Sequence, residues 1–153
     1  MKKEFSAGGI LFKKQETRLD SARQARNKKQ EIVWLVCQHS QHKGWVFPKG
    51  FIGDKIAGES IEDTALREVE EETGVKGKIL EKLEKPAGYF YVWEGEKRFK
   101  TVYYFLMEFV SGDINNHDFE MMKVEWWSKE KVEKELTYKS DKLAFKEALK
   151  LLL

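Results

Sequence analysis

The chain has 153 residues, room for one domain with a real core and too little for two ordinary ones. It is 41% hydrophobic and 35% charged with two prolines, which excludes disorder, and its longest apolar run, IVWLVC, is far short of a membrane span. A net charge of +2 conceals an acidic island: residues 59–72 carry seven acids and one base, so the rest of the chain is strongly basic. A single cysteine, Cys37, rules out an internal disulfide, and no long apolar h-region follows the charged start; both point to the cytoplasm.

Taken in chain order, EFSAGGILF (residues 4–12) predicts a first strand interrupted by a glycine pair. Residues 13–30 hold seven bases and one large aliphatic, Leu19, so they have little to bury and read as an exposed loop or loose helix. EIVWLVC is a buried strand, with Cys37 a small hydrophobe inside it, and GWVFPKG is a short strand stopped by Pro48. A helix follows over residues 60–73. Ser60 and Asp63 form a variant capping box, Ile61, Ala65, Leu66, Val69 and Thr73 make one apolar stripe, and Gly74 supplies the stop. Glu68, Glu71 and Glu72 share a face away from that stripe.

GYFYVWEGEKRFKTVYYFLMEFV reads as two long strands around a turn at residues 94–97, and VEWWS as another short strand. Two helices close the chain, at about residues 129–136 and 141–152. Ser140 is the expected cap of the second, and Leu143, Phe145, Ala148, Leu149 and Leu152 its apolar face. Strands in hairpins and helices taken singly predict an α+β arrangement, a mixed sheet covered by helices in an α/β/α sandwich, as one domain over residues 1–153.

The acidic helix breaks local rules. Like charges at i,i+4 cost about 0.2–0.5 kcal/mol each, and here they crowd the helix C-terminus, where the macrodipole disfavours anions. A solvated glutamate-rich face is one explanation; a bound divalent cation, which reverses the sign of the problem, is the other.

The spacing favours the cation. Gly53, five residues, Glu59, seven residues and then REVEEETGV match the Nudix box at Gly53, Glu59, Arg67, Glu68, Glu71, Glu72 and Gly74, with Val69 and Val75 at its aliphatic places. SAGG, WVFPKG and EWW extend the likeness over most of the chain, which thus resembles the Nudix hydrolases. One departure concerns register. Either Gly53 is the first glycine of the box, or Gly50 of WVFPKG is its equivalent and FIGDKIA carries three extra residues. The insertion is favoured, because loops absorb added length at little cost.

The resemblance implies hydrolysis of a nucleoside diphosphate linked to a second group, with Mg²⁺ or Mn²⁺ assisting. It makes Glu68 and Glu72 metal ligands, Glu71 a ligand or base, and Arg67 the residue that holds this face in order. The Lys49 backbone carbonyl is a further candidate ligand, and Glu59 a partner of Arg67 or of the metal network. Family members often add one loop acid, for which Glu120 is the candidate, with Asp118 and Glu125 behind it. Lys49 and Lys100 are candidate phosphate contacts. Tyr89, with Tyr91 and Trp93, and Trp45 are base-stacking or core aromatics. His39 and His42 lack the partners of a zinc site and read as surface residues.

The expected partner is a nucleotide or dinucleotide, and no membrane; the sequence sets no oligomeric state. WVFPKG and KTVYYFLM resemble relatives acting on dinucleoside polyphosphates. The alternatives are removal of pyrophosphate from an RNA 5′ end, with residues 13–30 gripping the chain, and a non-catalytic ligand-binding module. Such modules typically lose box glutamates, which this chain keeps.

Overall fold

A computed structural model describes residues 1–17 and 29–153. The organising strand is β1 (Lys2–Thr17), with β2 (Lys29–His39), β3 (Trp45–Val46) and β4 (Lys49–Phe51) following in sequence. Helix α1 (Ile61–Thr73) comes next, then β5 (Val75–Lys82), β6 (Ala87–Trp93), β7 (Glu96–Gly112) and β8 (Met121–Ser128). Helices α2 (Lys129–Glu135) and α3 (Lys139–Leu152) end the fold.

All eight strands join one mixed sheet whose spine runs β3-β2-β1-β7-β5. The β1–β7 pairing is parallel, from Lys2 opposite Arg98 to Phe12 opposite Glu108; the other pairings are antiparallel. Alternation along the strands sends side chains to two apolar layers. Trp34, Val36, Tyr104 and Leu106 lie on the α3 face with Phe145 and Ala148. Leu35, Cys37, Phe105 and Met107 lie on the α1 face with Ala65 and Val69. Both faces are therefore covered, as the α/β/α expectation requires. Trp34 sits edge-on to Phe145 with ring centroids 4.9 Å apart, a contact worth about 0.5–1.5 kcal/mol beyond its area.

Several local expectations change. Strand β1 is not interrupted at Gly8 and Gly9: it runs through them, and a side chain at Gly9 would strike Val69 and Met107, so the missing Cβ lets α1 lie close to the sheet. The basic stretch at residues 13–30 is not a loop throughout. Its two ends are paired strand, with Lys13 opposite Val33 and Thr17 opposite Lys29, while residues 18–28 lie outside the described residues. Strand β5 was not anticipated. Its hairpin partner β6–β7 has a tighter turn than expected, with Trp93 opposite Glu96 and positive φ at both Glu94 and Gly95. In α3 the cap position is Tyr138, not Ser140. Leu143 is 58% exposed, and Ala144 takes the inward place expected of it.

The boundaries of α1 do follow its signals. The Ser60 hydroxyl accepts from the Asp63 N–H at 3.1 Å, and Gly74 turns the chain with φ 78° while its N–H donates to Glu70 O. A Cβ at Gly74 would stand 2.3 Å from the Asp113 carbonyl oxygen. Gly74→Ala is expected to cost at least about 1–3 kcal/mol, read by chemical denaturation, because strain at positive φ and a backbone clash act together.

Candidate active site

Helix α1 presents three carboxylates to three environments. Glu68 and Glu72, four residues apart, are 5% and 6% exposed, so neither lies on the open solvent face that the spacing suggested. They are covered because β4 crosses α1 here. The Lys49 N–H donates to Glu72 Oε2 at 3.1 Å, and a Cβ on Gly50 would lie 2.0 Å from the Glu68 carboxyl carbon. Glu71 lies at the rim with a third of its side chain exposed, and Glu70 points outward, 3.9 Å from Lys76.

The two candidate glycines sit differently. Gly50 is the glycine pressed against the helix carboxylates. Gly53 instead turns the loop at φ 74°, with nothing nearer to its absent side chain than Ile56 O at 3.9 Å. FIGDKIA runs from the end of β4 into the loop that precedes α1.

Arg67 ties the acids together. Its Nε and Nη2 grip Glu59 Oε1 at 3.2 and 2.8 Å, and Nε reaches Oε2 at 2.9 Å. Its Nη1 donates to Glu68 Oε1 at 3.1 Å and to both Glu71 oxygens at 3.2 Å. Glu59 therefore pairs with Arg67, and it also accepts from the Thr64 hydroxyl. From the loop, Lys55 Nζ adds a 2.5 Å contact to Glu71 Oε2, and Asp54 a longer one to Arg67.

These contacts divide the acids electrostatically. Hydrogen bonds from Arg67 hold the Glu59 carboxyl below the usual range and raise the guanidinium's own pKa. Burial opposes ionisation of Glu71, yet the bonds from Lys55 and Arg67 prevail and keep its carboxyl low. Burial pushes Glu68 up despite Arg67, and pushes Glu72 well up despite Lys49.

Glu68 and Glu72 open onto a cavity of ≈ 1160 Å³ between β4, β6, the start of α3 and the loop ends, and Glu71 is not among its lining residues. Lys49, Lys100, Tyr89, Tyr91 and Glu120 line it, as sequence reasoning assembled them; His39 and His42 do too, their rings stacked at 4.3 Å. Glu120 is held by a loop whose Asp118 N–H donates to Glu71 O at 3.2 Å, which fastens that loop to α1. Lys100 stands over the rings of Phe51 and Tyr91, and burial followed by Lys49's charge lowers its pKa. Three candidates fall elsewhere, among them Asp118, whose carboxylate accepts from the Glu120 N–H at 3.1 Å and is not a wall of this cavity. The Trp45 ring packs on Trp127 at 4.6 Å and is not a wall of this cavity, and Glu125 accepts from Trp127 Nε1.

Sequence reasoning missed three wall residues. Asp141 is 4% exposed and accepts from the Tyr104 hydroxyl at 2.8 Å; burial raises its carboxyl. Glu4 accepts from Tyr91 and pairs with Arg98 at 3.4 Å. Each contact joins residues far apart in the chain, and no local pattern signals it.

The donor set suits a hard divalent cation: carboxylate oxygens, two of them buried and a helical turn apart, facing a polar cavity. Among the described residues no three such groups already converge as a metal cage. Arg67 and Lys55 occupy Glu71, and the Lys49 N–H occupies Glu72. Without a cation the raised pKa of Glu72 is a stability cost. Its folded value exceeds the unfolded one of about 4.3, so the folded chain holds a proton that the unfolded chain releases, and stability falls as pH rises through that window. In chelator, Glu72→Gln is therefore expected to melt higher than wild type at neutral pH, by about 2–4 °C per kcal/mol relieved, and the gap should close towards pH 4.

A family model described as the NUDIX domain matches residues 21–148. The Mycobacterium tuberculosis protein named MutT4 is 35% identical over 126 residues, covering 80% of this chain and 45% of its own length. Nudix hydrolase 6 of Arabidopsis thaliana is 35% identical over 106 residues, covering 65% of this chain and 35% of its own. The chain thus spans less than half the length of these curated relatives. The Nudix domain of Shewanella oneidensis NrtR, solved with ADP ribose, superposes with a TM-score of 0.68 at 22% identity, over 100% of this chain and 90% of that one. A C. elegans Ap4A hydrolase binary complex does so with a TM-score of 0.65 at 18% identity, over 97% of each chain. At those identities the likeness is one of fold, and it is the family match across residues 21–148, over the helix that bears Arg67 and its glutamates, that makes this chain a member of the Nudix family.

Proposed function

We propose that the chain hydrolyses a pyrophosphate linkage in nucleoside diphosphate-X compounds with Mg²⁺ or Mn²⁺, and that dinucleoside polyphosphates are its substrate class. The observation that carries the reading is the buried Glu68–Glu72 pair set at one end of a large cavity with lysines and tyrosines along its walls. Its volume is above the common range for small-molecule sites, about 300–1,000 Å³, which suits an extended ligand. Names and bound ligands of fold relatives, an Ap4A hydrolase and an ADP-ribose complex, agree in chemical class.

The charge balance of the walls calls for a cation. Glu4, Asp54, Glu68, Glu72, Glu120 and Asp141 oppose Lys49, Lys55, Arg98, Lys100 and Lys139, so an anionic substrate meets as much repulsion as attraction. Nudix hydrolases generally use divalent metals. In this chain Glu68 and Glu72 would hold one, joined by Glu71, Glu120 and the Lys49 carbonyl; when bound, it supplies charge neutralisation and Lewis-acid polarisation.

The chain's own groups then have separate tasks. Lys49 and Lys100 bind phosphate oxygens. Tyr89 and Tyr91 present ring faces to a base. Glu68 and Glu71, both in reach of Arg67, are the proton acceptors for an attacking water. Arg67 keeps both in place. The RNA reading depends on residues 13–30, most of which lie outside the described residues, and Lys13 itself rests over Phe109 and Trp126. A binding module without catalysis would have no use for the retained glutamates.

A panel of dinucleoside polyphosphates, nucleoside diphosphate sugars and 5′-triphosphorylated RNA, each with Mg²⁺ and with chelator, tests the reading. Metal-dependent release of nucleotide from the dinucleotides is expected. No product from any substrate would overturn it. Glu68→Gln and Glu72→Gln should each lower kcat/KM by about 10²-fold or more, as several kcal/mol of transition-state stabilisation are lost, whereas Glu70→Gln stays within about twofold.

The two glycines give a sharper comparison. Gly50→Ala must displace the Glu68 carboxyl, while Gly53→Ala only strains an open loop. Turnover should collapse in the first and survive in the second. The reverse order would mean that the glycine of the box is Gly53.

A further inference from the structure

We propose that Lys55 is the resident counter-ion of Glu71, and that a divalent cation gains Glu71 only by displacing it. The inference rests on the metal-dependent reading above and adds a residue that the box does not contain. Lys55 belongs to the loop at residues 52–58, between β4 and α1. Its Nζ lies 2.5 Å from Glu71 Oε2, the same oxygen that Arg67 Nη1 reaches at 3.2 Å. A carboxylate oxygen engaged by both an ammonium and a guanidinium has little left to offer a third cation.

The neighbouring acids are different. Among the described residues, Glu68 has an ion pair only with Arg67, and Glu72 receives a backbone N–H rather than an ammonium. Glu71 is therefore the one helix carboxylate of the three with a removable side-chain lysine on it. The result is a graded site, in which Glu68 and Glu72 are open to a cation and Glu71 becomes open when the loop lets go.

The loop is built to let go. Gly53 and Gly58 bracket the segment with φ 74° and 77°, and residues 54–58 are exposed. Nothing lies within 4 Å of the position a side chain on Gly58 would take. Asp54 tethers the same loop to Arg67 at only 3.5 Å. Swinging the Lys55 side chain outward thus breaks an ion pair at the exposed edge of the site. Lys55 is 54% exposed, so its hold corresponds to a factor of about two to five in an equilibrium constant.

Titrating Mn²⁺ at low salt, with free Mn²⁺ followed by electron paramagnetic resonance, tests the idea without any substrate. Lys55→Met should tighten Mn²⁺ about two- to fivefold, and Lys55→Arg should match wild type. The gain should be absent when Lys55→Met is compared with its parent in a Glu71→Gln background, and should shrink at about 1 M salt, where the Debye length is about 3 Å. Melting curves in chelator confirm that each variant folds. Unchanged or weaker Mn²⁺ binding by Lys55→Met, or a gain that persists without Glu71, overturns the proposal. If Glu68→Gln and Glu72→Gln lose Mn²⁺ in the same experiment, the metal reading survives that failure. If wild type binds no better than those two variants, both fall together.

Discussion

The site depends on one guanidinium. Arg67 is a single positive group placed where Glu59, Glu68 and Glu71 all reach it, and its planar fork serves three carboxylates at once. Helix α1 has no basic residue in its last turn, where the dipole disfavours anions, so Arg67 is the one base of the helix that offsets the repulsion among its glutamates. A lysine at this position would offer a point charge and could not grip Glu59 with two nitrogens while donating to Glu68 and Glu71. Glu59 explains why the box begins well before the helix. It arrives from the far side of the loop and fixes the guanidinium's direction, which in turn fixes the glutamates.

Arg67 orders the rim, but the buried pair is held by the sheet. Strand β4 pairs with β1 through only three residues, opposite Ser6, Ala7 and Gly8. That short pairing brings the Lys49 N–H to Glu72 and the bare α-carbon of Gly50 to Glu68. Two acids end up buried with less compensation than burial ordinarily demands, which is why burial raises both of their pKa values. Local instability of this kind is expected where a fold reserves ligand positions for something it does not itself supply.

Much of this was readable from the sequence wherever the signal is local. The Ser60 cap, the stripe through Ala65 and Val69, and the Gly74 stop all follow from spacing, and α1 has those limits. The acidic run and its box positions are local as well. Strand β5 escaped notice because VKGKILEK alternates charge with small or aliphatic residues at the edge of the sheet, where only Val75 is fully buried. Ala144, not Leu143, shares the i,i+3,i+4 face of Phe145 and Ala148, so the outward place of Leu143 follows from the helical period itself. The burial of Glu68 and Glu72 was not legible from helix periodicity, since it arises from β4 crossing the face that the period assigns to solvent. Contacts such as Asp141 with Tyr104, or Lys55 with Glu71, depend on tertiary approach and leave no periodic trace.

The cavity is electrostatically uneven in a way that links these parts. One end carries Glu68 and Glu72, and the α3 end carries Asp141 with Tyr104 against it and Lys49 nearby, whose positive charge Asp141 sustains against the penalty of burial. Lys49 thus faces two acids: its ammonium and its N–H both act on Glu72, and its ammonium also answers Asp141. A ligand of the proposed class would meet its charged and flat partners side by side, because Lys100 stands over the Tyr89 and Tyr91 rings. The remaining mismatch lies at the helix carboxylates, where the wall and such a ligand are both negative. Recognition and charge neutralisation are therefore one problem in this cavity, and any group that settles the charge at Glu68, Glu71 and Glu72 also decides how closely the ligand's phosphates approach them.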